Sequence, residues 1–160
     1  MAKPREIRSF DYVNHPYEKV RDALRADALE VFRSATRAAA SRARSVASAL
    51  RVNIGGIEVA TEIDISIKGV EEAATRRGTA TRILLEWQAA QRANLFPLMS
   101  AQLAVYPLTS METQLDFSGR YEPPLGPLGT AIDAVAGRRI AEASVHRFVA
   151  DVAQHLRDRL

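Results

Sequence analysis

Residues 113–153 read TQLDFSGRYEPPLGPLGTAIDAVAGRRIAEASVHRFVADVA, and three patterns follow one another within this stretch. Up to Tyr121 apolar and polar residues alternate, which is typical of a strand with one buried face. Pro123 and Pro124 then remove two backbone N–H donors, so a sheet cannot continue through them. From residue 128 to 159 apolar residues recur mostly at spacings of three and four, which predicts a helix. We therefore expect a last strand, a turn, and a long helix that folds back across the sheet.

Upstream, alternation is strongest over 57–68, where six successive positions on one face are apolar or threonine. These positions are Ile57, Val59, Thr61, Ile63, Ile65 and Ile67. Gly55 and Gly56 predict a tight reversal from a shorter strand. Further strands are predicted over 51–54, 81–89, 98–106 and 111–121, with turns over 75–78 and 107–110. Successive strands with short turns make an antiparallel meander of five or six strands that is apolar on one face.

A short strand over 7–13 and a long helix are predicted before the meander. Asn14 is a good helix cap, and Pro16 fits the first helical turn because its missing N–H costs nothing there. Apolar residues then recur at helical spacing, at Val20, Leu24, Ala28 and Val31. The alanine-rich run 34–49 contains neither Pro nor Gly. We expect the helix to continue through it with a bend near Ser34.

Length and composition favour a single α+β domain over residues 1–160. The 22 Lys and Arg residues barely exceed the 19 Asp and Glu residues, and a net charge of +3 does not by itself indicate a nucleic-acid partner. The sequence contains no cysteine, which excludes disulfides, zinc–thiolate sites and cysteine nucleophiles. The first residues lack the apolar core of a secretory signal, and no apolar run is long enough to span a membrane. These features predict a cytoplasmic protein.

The order of these elements, together with residues 113–153, resembles the START and birch-pollen-allergen superfamily (SRPBCC, or helix-grip proteins), which includes polyketide cyclase/dehydrase-like proteins. The most specific similarity is that of YEPPLGPLG, residues 121–129, to a Y-x-P-P-x-G-x-x-G segment that leads into the long helix of many bacterial members. The resemblance implies a curved antiparallel sheet wrapped around the C-terminal helix, with N-terminal helices between the first strand and the meander. It also implies an apolar cavity for a lipid, sterol, isoprenoid or polyketide, and cyclase or dehydratase activity in a minority of members.

A cavity between the sheet and the last helix would be lined by the inward-facing residues of both. These are Ile63, Ile65, Ile83, Leu85, Trp87, Leu115, Phe117 and Tyr121 from the strands, and Val145, Phe148 and Val152 from the helix. The same residues could instead fill a core without leaving room for a ligand, because protein interiors are close-packed. Trp87 and Tyr121 are the best pocket candidates, since a buried indole N–H or phenol O–H needs a polar partner.

No catalytic, metal or cofactor site is predicted. His146 and His155 are nine residues apart and project from opposite sides of a helix, so they cannot share a metal ion, and His15 lies beside the first helix cap. The glycines over 119–129 lack the lysine of a phosphate-binding loop. The alternation also places no Arg, His or acid on the inner face with any clarity.

We therefore predict a protein, monomeric or homodimeric, that binds a hydrophobic small molecule and contacts no nucleic acid. One alternative is a cyclase or dehydratase that uses Tyr121, Trp87 or Arg82 as polar groups. Another is an interaction module built on the arginine-rich helix over 33–51, although a solvated helix face is the commoner reason for such a pattern.

Overall fold

Two long helices and five antiparallel strands form the part of the chain that the structure describes. The structure is a computed structural model and describes residues 4–51, 63–76, 78–89, 99–121 and 131–160. Within these ranges the side chains of residues 33, 36–51, 63–64, 87–89, 131–140 and 143–144 are not described. In chain order the elements are β1 (Arg5–Val13), α1 (Tyr17–Arg51), β2 (Ile63–Thr75), β3 (Gly78–Ala89), β4 (Met99–Thr109), β5 (Glu112–Tyr121) and α2 (Ala131–Arg159).

The strands form one curved antiparallel sheet in the order β1-β5-β4-β3-β2. The chain passes from β1 through α1 to the far edge and returns strand by strand until β5 pairs with β1. One face carries the fully buried Ile83, Leu103 and Phe117 and is called the inner face below; the opposite face is the outer face. Both helices pack on the inner side, where α2 contacts α1 and β1. This α+β helix-grip arrangement confirms the predicted fold class.

Several strand boundaries differ from the predicted ones: β1 begins at Arg5 instead of residue 7, and β3 begins at Gly78 instead of residue 81. β2 covers the second half of the strand predicted over 57–68 and continues to Thr75, past a bulge at Lys68. Residues 52–62 and 122–130 lie outside the described residues, and with them lie the predicted double-glycine reversal and the proline-rich turn. Arg51, predicted as the start of a short strand, is the last residue of α1.

The predicted turn over 107–110 is wrong in its first residues, because β4 continues to Thr109. The pairing of β3 with β4 ends at Thr81 and Val105, so β3 no longer accompanies β4 at Pro107. Pro107 therefore lies where β4 makes no hydrogen bond to β3, and the strand tolerates a residue without an N–H there. The register with β5 shifts at this point instead.

A side-chain cap breaks α1 at Asp27, so the bend predicted near Ser34 is in the wrong place. Asp27 has non-helical backbone angles, with φ −160° and ψ 73°. The backbone N–H of Glu30 donates to Oδ1 of Asp27 at 2.9 Å, which makes Asp27 the N-cap of a second helical part. The sequence Asp-Ala-Leu-Glu has the spacing of a capping box, and that signal identifies the break.

Polar contacts fix α2 against the edge strand β1. Oγ of Ser9 lies 2.7 Å from Nδ1 of His146. About three turns further along α2, Nη2 of Arg157 donates to Oδ1 of Asp11 at 2.7 Å and also to the backbone oxygen of Tyr12. The same guanidinium lies 5.2 Å from the centre of the Tyr12 ring, within cation–π range. These contacts align α2 with β1 and fill part of the hydrogen-bonding edge of the sheet.

Within the described ranges, neither helix contains a segment long and apolar enough to cross a membrane.

Replacing Asp27 with Ala removes the cap and leaves the Glu30 N–H without its acceptor. We expect the free energy of unfolding to fall by about 1 kcal/mol, measured by urea denaturation followed by circular dichroism. Asp22→Ala is the matched control, because Asp22 is an exposed acid of the same helix that pairs with its neighbour Arg21. It should change stability by less than about 0.5 kcal/mol. Equal losses in the two variants would contradict the capping role of Asp27.

Candidate functional site

The registers of the strands arrange the inner face in rows that run across the sheet. The first row joins Arg5, Tyr121, Met99, Trp87 and Ile65, and the second joins Ile7, Gly119, Ala101, Leu85 and Ile67. The third joins Ser9, Phe117, Leu103, Ile83 and Val70, and the fourth joins Asp11, Leu115, Val105, Thr81 and Glu72. Because His146 meets the third row and Arg157 the fourth, α2 runs along the inner face from the first row towards the last.

Three phenylalanine rings meet at the third row and divide the interior into two ends. Phe148 of α2 lies between Phe32 of α1 and Phe117 of β5, with ring centres 5.5 Å and 6.0 Å away. The ring planes are inclined by 58° and 71°, the tilted and edge-to-face geometries that aromatic pairs prefer. All three rings are fully buried. Together they form the phenylalanine triad, which connects both helices to the sheet.

The closed end lies beyond the triad, at the fourth row and the hairpin between β4 and β5. Its apolar side chains are at most 1% exposed, and they include Leu115, Val105, Val152, Leu156 and Leu24. The hydroxyl of Tyr17 lies 2.7 Å from Oγ1 of Thr81, so the buried phenol already has a polar partner. This end is therefore a packed core.

The open end, before the triad, carries the smallest side chains of the inner face. Gly119 and Ala101 are adjacent across β5 and β4 in the second row. A Cβ atom at Gly119 would lie 2.5 Å from Sδ of Met99 and 3.0 Å from Cε1 of Phe117, so the Met99 thioether occupies the space above the glycine. Methionine is flexible and adapts to irregular spaces. The space at this end is thus filled in part by a side chain that can move.

A pocket of about 260 Å³ lies at the open end, between the start of β1, the end of β5 and α2. It is lined by Arg5, Glu6, Ile7, Tyr121 and Glu142. Arg5 and Ile7 belong to the inner-face positions of β1, and Arg5 is directly opposite Tyr121 in the register. The pocket therefore lies where the first and second rows meet solvent, and it is called the entrance pocket below.

The charged groups at this entrance differ in their ion pairs. Oε1 of Glu6 lies 2.9 Å from Nη2 of Arg120, so the charge of Glu6 is already compensated. Among the residues that the structure describes, Arg5 forms no ion pair, although it lines the pocket with two acids. Glu142 approaches from α2 on the other side of the entrance. Within this part of the chain, compensation of the Arg5 charge is thus left to solvent or to a bound molecule.

The buried polar side chains elsewhere have structural partners. Thr113 donates to the backbone oxygen of His15 at 2.8 Å, while Ser9 and Thr81 bond His146 and Tyr17 as described above. Asp151 lies 3.8 Å from Nε of Arg147, one turn away on α2. No group of three potential metal ligands occurs in the described ranges.

The structure places the predicted lining residues on both sides of the triad. Ile83, Leu85, Leu115, Phe117, Tyr121, Val145, Phe148 and Val152 are buried on the inner side, and Ile65 is half-buried against the same core. Leu115 and Val152 belong to the closed end, whereas Tyr121 and Leu85 belong to the open end. Ile63 and Trp87 lie in paired strands, but their side chains are not described. The ligand-lining role of the whole set stays a prediction.

The entrance has three charged lining residues that the sequence analysis missed: Arg5, Glu6 and Glu142. Arg5 continues the inner-face alternation of Ile7 and Ser9. The sequence analysis missed this signal because it began the strand at residue 7. Glu142 is one turn before His146 on α2. Arg82, by contrast, alternates with the buried Thr81 and Ile83 and therefore lies on the outer face.

Solved structures show the same fold in other proteins. The aromatase/cyclase Zhui from Streptomyces sp. R1128 superposes with a TM-score of 0.55 at 14% identity, over 98% of this chain and 96% of that one. Protein TTHA0849 from Thermus thermophilus superposes with a TM-score of 0.52 at 14% identity, over 95% and 97% of the two chains. No protein-family model matches the sequence, and no curated protein matches it either. The chain thus shares the helix-grip fold with these two proteins.

Replacing Gly119 with Ala forces the Met99 side chain away from its position. We expect the free energy of unfolding to fall by about 1–3 kcal/mol, the usual cost of overpacking. In a Met99→Ala background the same change should cost less than half as much, because the conflicting sulfur atom is gone. The double-mutant cycle is measured by urea denaturation. Equal costs in both backgrounds would mean that Met99 does not occupy the space above Gly119.

Proposed function

We propose that the protein binds a hydrophobic small molecule at the open end of its inner face, between the sheet and α2. The observation that supports this most is the pocket beside Tyr121, which adjoins a row where Gly119 and Ala101 have the smallest side chains and the flexible Met99 fills the space above the glycine. The lining of that row is apolar, with Ile7 and Leu85 buried on either side of the small residues. Concave, largely apolar sites with a few polar groups are the usual binding sites of small ligands.

Energetics favour the open end over the closed end as the site of binding. A ligand at the closed end would have to displace side chains such as Leu115 and Leu156, which are fully buried in close packing. At the open end, entry requires a rotation of Met99. A ligand that buries roughly 200 Å² of apolar surface there would gain about 5 kcal/mol before the cost of association. Lipids, sterols, isoprenoids and polyketides all offer such surface.

The first experiment screens fatty acids, sterols, isoprenoids and aromatic polyketides by thermal shift and native mass spectrometry. We expect at least one class to raise the melting temperature and to bind in a one-to-one complex. Ala101→Leu adds side-chain volume to the second row and should weaken binding of that ligand by at least about tenfold, roughly the 1.4 kcal/mol of lost or obstructed contact. The melting temperature of each unliganded variant is measured first, because added volume also strains a core.

Ala104→Leu is the matched control, since Ala104 lies in the same strand on the outer face. It makes the same chemical change and should leave the affinity within about twofold. The proposal is abandoned if no apolar compound shifts the melting temperature. It is also abandoned if both leucine variants weaken binding equally, since the ligand would then not sit on the inner face.

Catalysis in the same pocket is a second candidate function, favoured by the three polar groups of Arg5, Tyr121 and Glu142 at one entrance. An acid–base group must reach the reacting atoms of the substrate, and a phenol opposite a guanidinium is a suitable donor. The likeness to an aromatase/cyclase is consistent with this candidate but concerns the fold alone. The test is turnover of a poly-β-ketone substrate by wild type and by Tyr121→Phe. Unchanged turnover in the variant would remove Tyr121 as the donor.

The interaction module on residues 33–51 stays a prediction. α1 is helical to Arg51, but the side chains over 36–51 lie outside the described part of the chain.

A further inference from the structure

The entrance pocket contains charges that the binding of an apolar molecule does not require. Three of its five lining residues are ionisable side chains that carry a charge at neutral pH: Arg5, Glu6 and Glu142. An entrance that only admitted apolar molecules would be served by uncharged residues, since a charged group loses hydration whenever a ligand covers it. These charges therefore suit a ligand that also has a polar group.

The volume of the pocket is sufficient for only one part of a ligand. At about 260 Å³ it is smaller than the roughly 300–1,000 Å³ that encloses a whole drug-sized molecule. It has room for a polar head group of a few atoms, while the remainder of the molecule would pass Ile7 and displace the Met99 side chain from above Gly119. The polar group at the entrance and the apolar row behind it together fit an amphipathic ligand.

The positive charge of Arg5 favours a negatively charged head group. Glu6 is compensated by Arg120 at 2.9 Å, and within the described residues Arg5 has no acid in an ion pair. A guanidinium presents a planar set of donors that matches a carboxylate in a two-pronged geometry. Tyr121 is opposite Arg5 on the neighbouring strand and lines the same pocket. Both side chains arise from paired strands, which position a site more firmly than loops do.

We propose that the entrance pocket binds the carboxylate of an amphipathic ligand through Arg5, with the apolar part of that ligand on the inner face. This rests on the proposed function and narrows it from hydrophobic molecules in general to acids with an apolar body.

The test compares decanoate with decanol, which share a chain and differ in the charge of the head group at about pH 7.5. Binding is measured by isothermal titration calorimetry with wild type, Arg5→Gln and Arg8→Gln. Wild type should bind decanoate about fivefold more tightly than decanol, near the upper range of a solvent-facing ion pair. Arg5→Gln should remove this preference by weakening decanoate alone.

Arg8→Gln is the control for charge, because Arg8 is exposed on the outer face of the same strand. It makes the same change in net charge and should leave both affinities unchanged. Added salt should weaken decanoate binding to wild type and leave decanol binding unaffected, as screening predicts.

The outcomes separate the inference from the proposed function. If decanol and decanoate bind equally and Arg5→Gln changes neither affinity, the carboxylate site is wrong while binding of an apolar molecule stands. Equal weakening by Arg5→Gln and Arg8→Gln also overturns the site, because the effect would come from net charge. If neither compound binds wild type, both the inference and binding of simple aliphatic chains are overturned.

Discussion

The interior of the protein depends on the packing of Phe148 between Phe32 and Phe117. These rings join the three structural parts, α1, α2 and the sheet, at a single point, with ring centres 5.5 Å and 6.0 Å apart. Burial of each phenylalanine contributes roughly 1.5–3 kcal/mol. The triad also fixes how far an apolar ligand could enter, because it separates the closed end from the open end. The position of the candidate site follows from this contact.

The two ends of the inner face differ in what holds them together. The closed end combines fully buried aliphatic residues with satisfied polar pairs, such as Tyr17 with Thr81, and Arg157 anchors α2 to β1 nearby. The open end combines a glycine, an alanine and a flexible methionine with a charged entrance. The proposed binding site and the most closely packed part of the core thus lie at different ends of the inner face.

Alternation and helical periodicity predicted the fold and most of the inner face correctly. Ile83, Phe117 and Phe148 were assigned to the interior because period-two and period-3.6 patterns translate directly into faces. The residues of the entrance were harder to predict from the sequence. Arg5 is a charged residue at a strand end, and hydrophobic alternation alone does not extend the strand as far as such a residue. The division into two ends could not be predicted either, because it depends on register across four strand pairs and on which rings meet. The break at Asp27 was predictable from its capping box but was assigned to Ser34.

The most direct test of a divided interior is a titration of the methyl-labelled protein with decanol, followed by methyl NMR. The division predicts shifts at Ile7, Ile67 and Leu85, which lie in the second row at the open end. Leu115, Val152 and Leu156, at the closed end, should keep their resonances. Comparable shifts on both sides of the phenylalanine triad, or shifts confined to the closed end, would contradict the account.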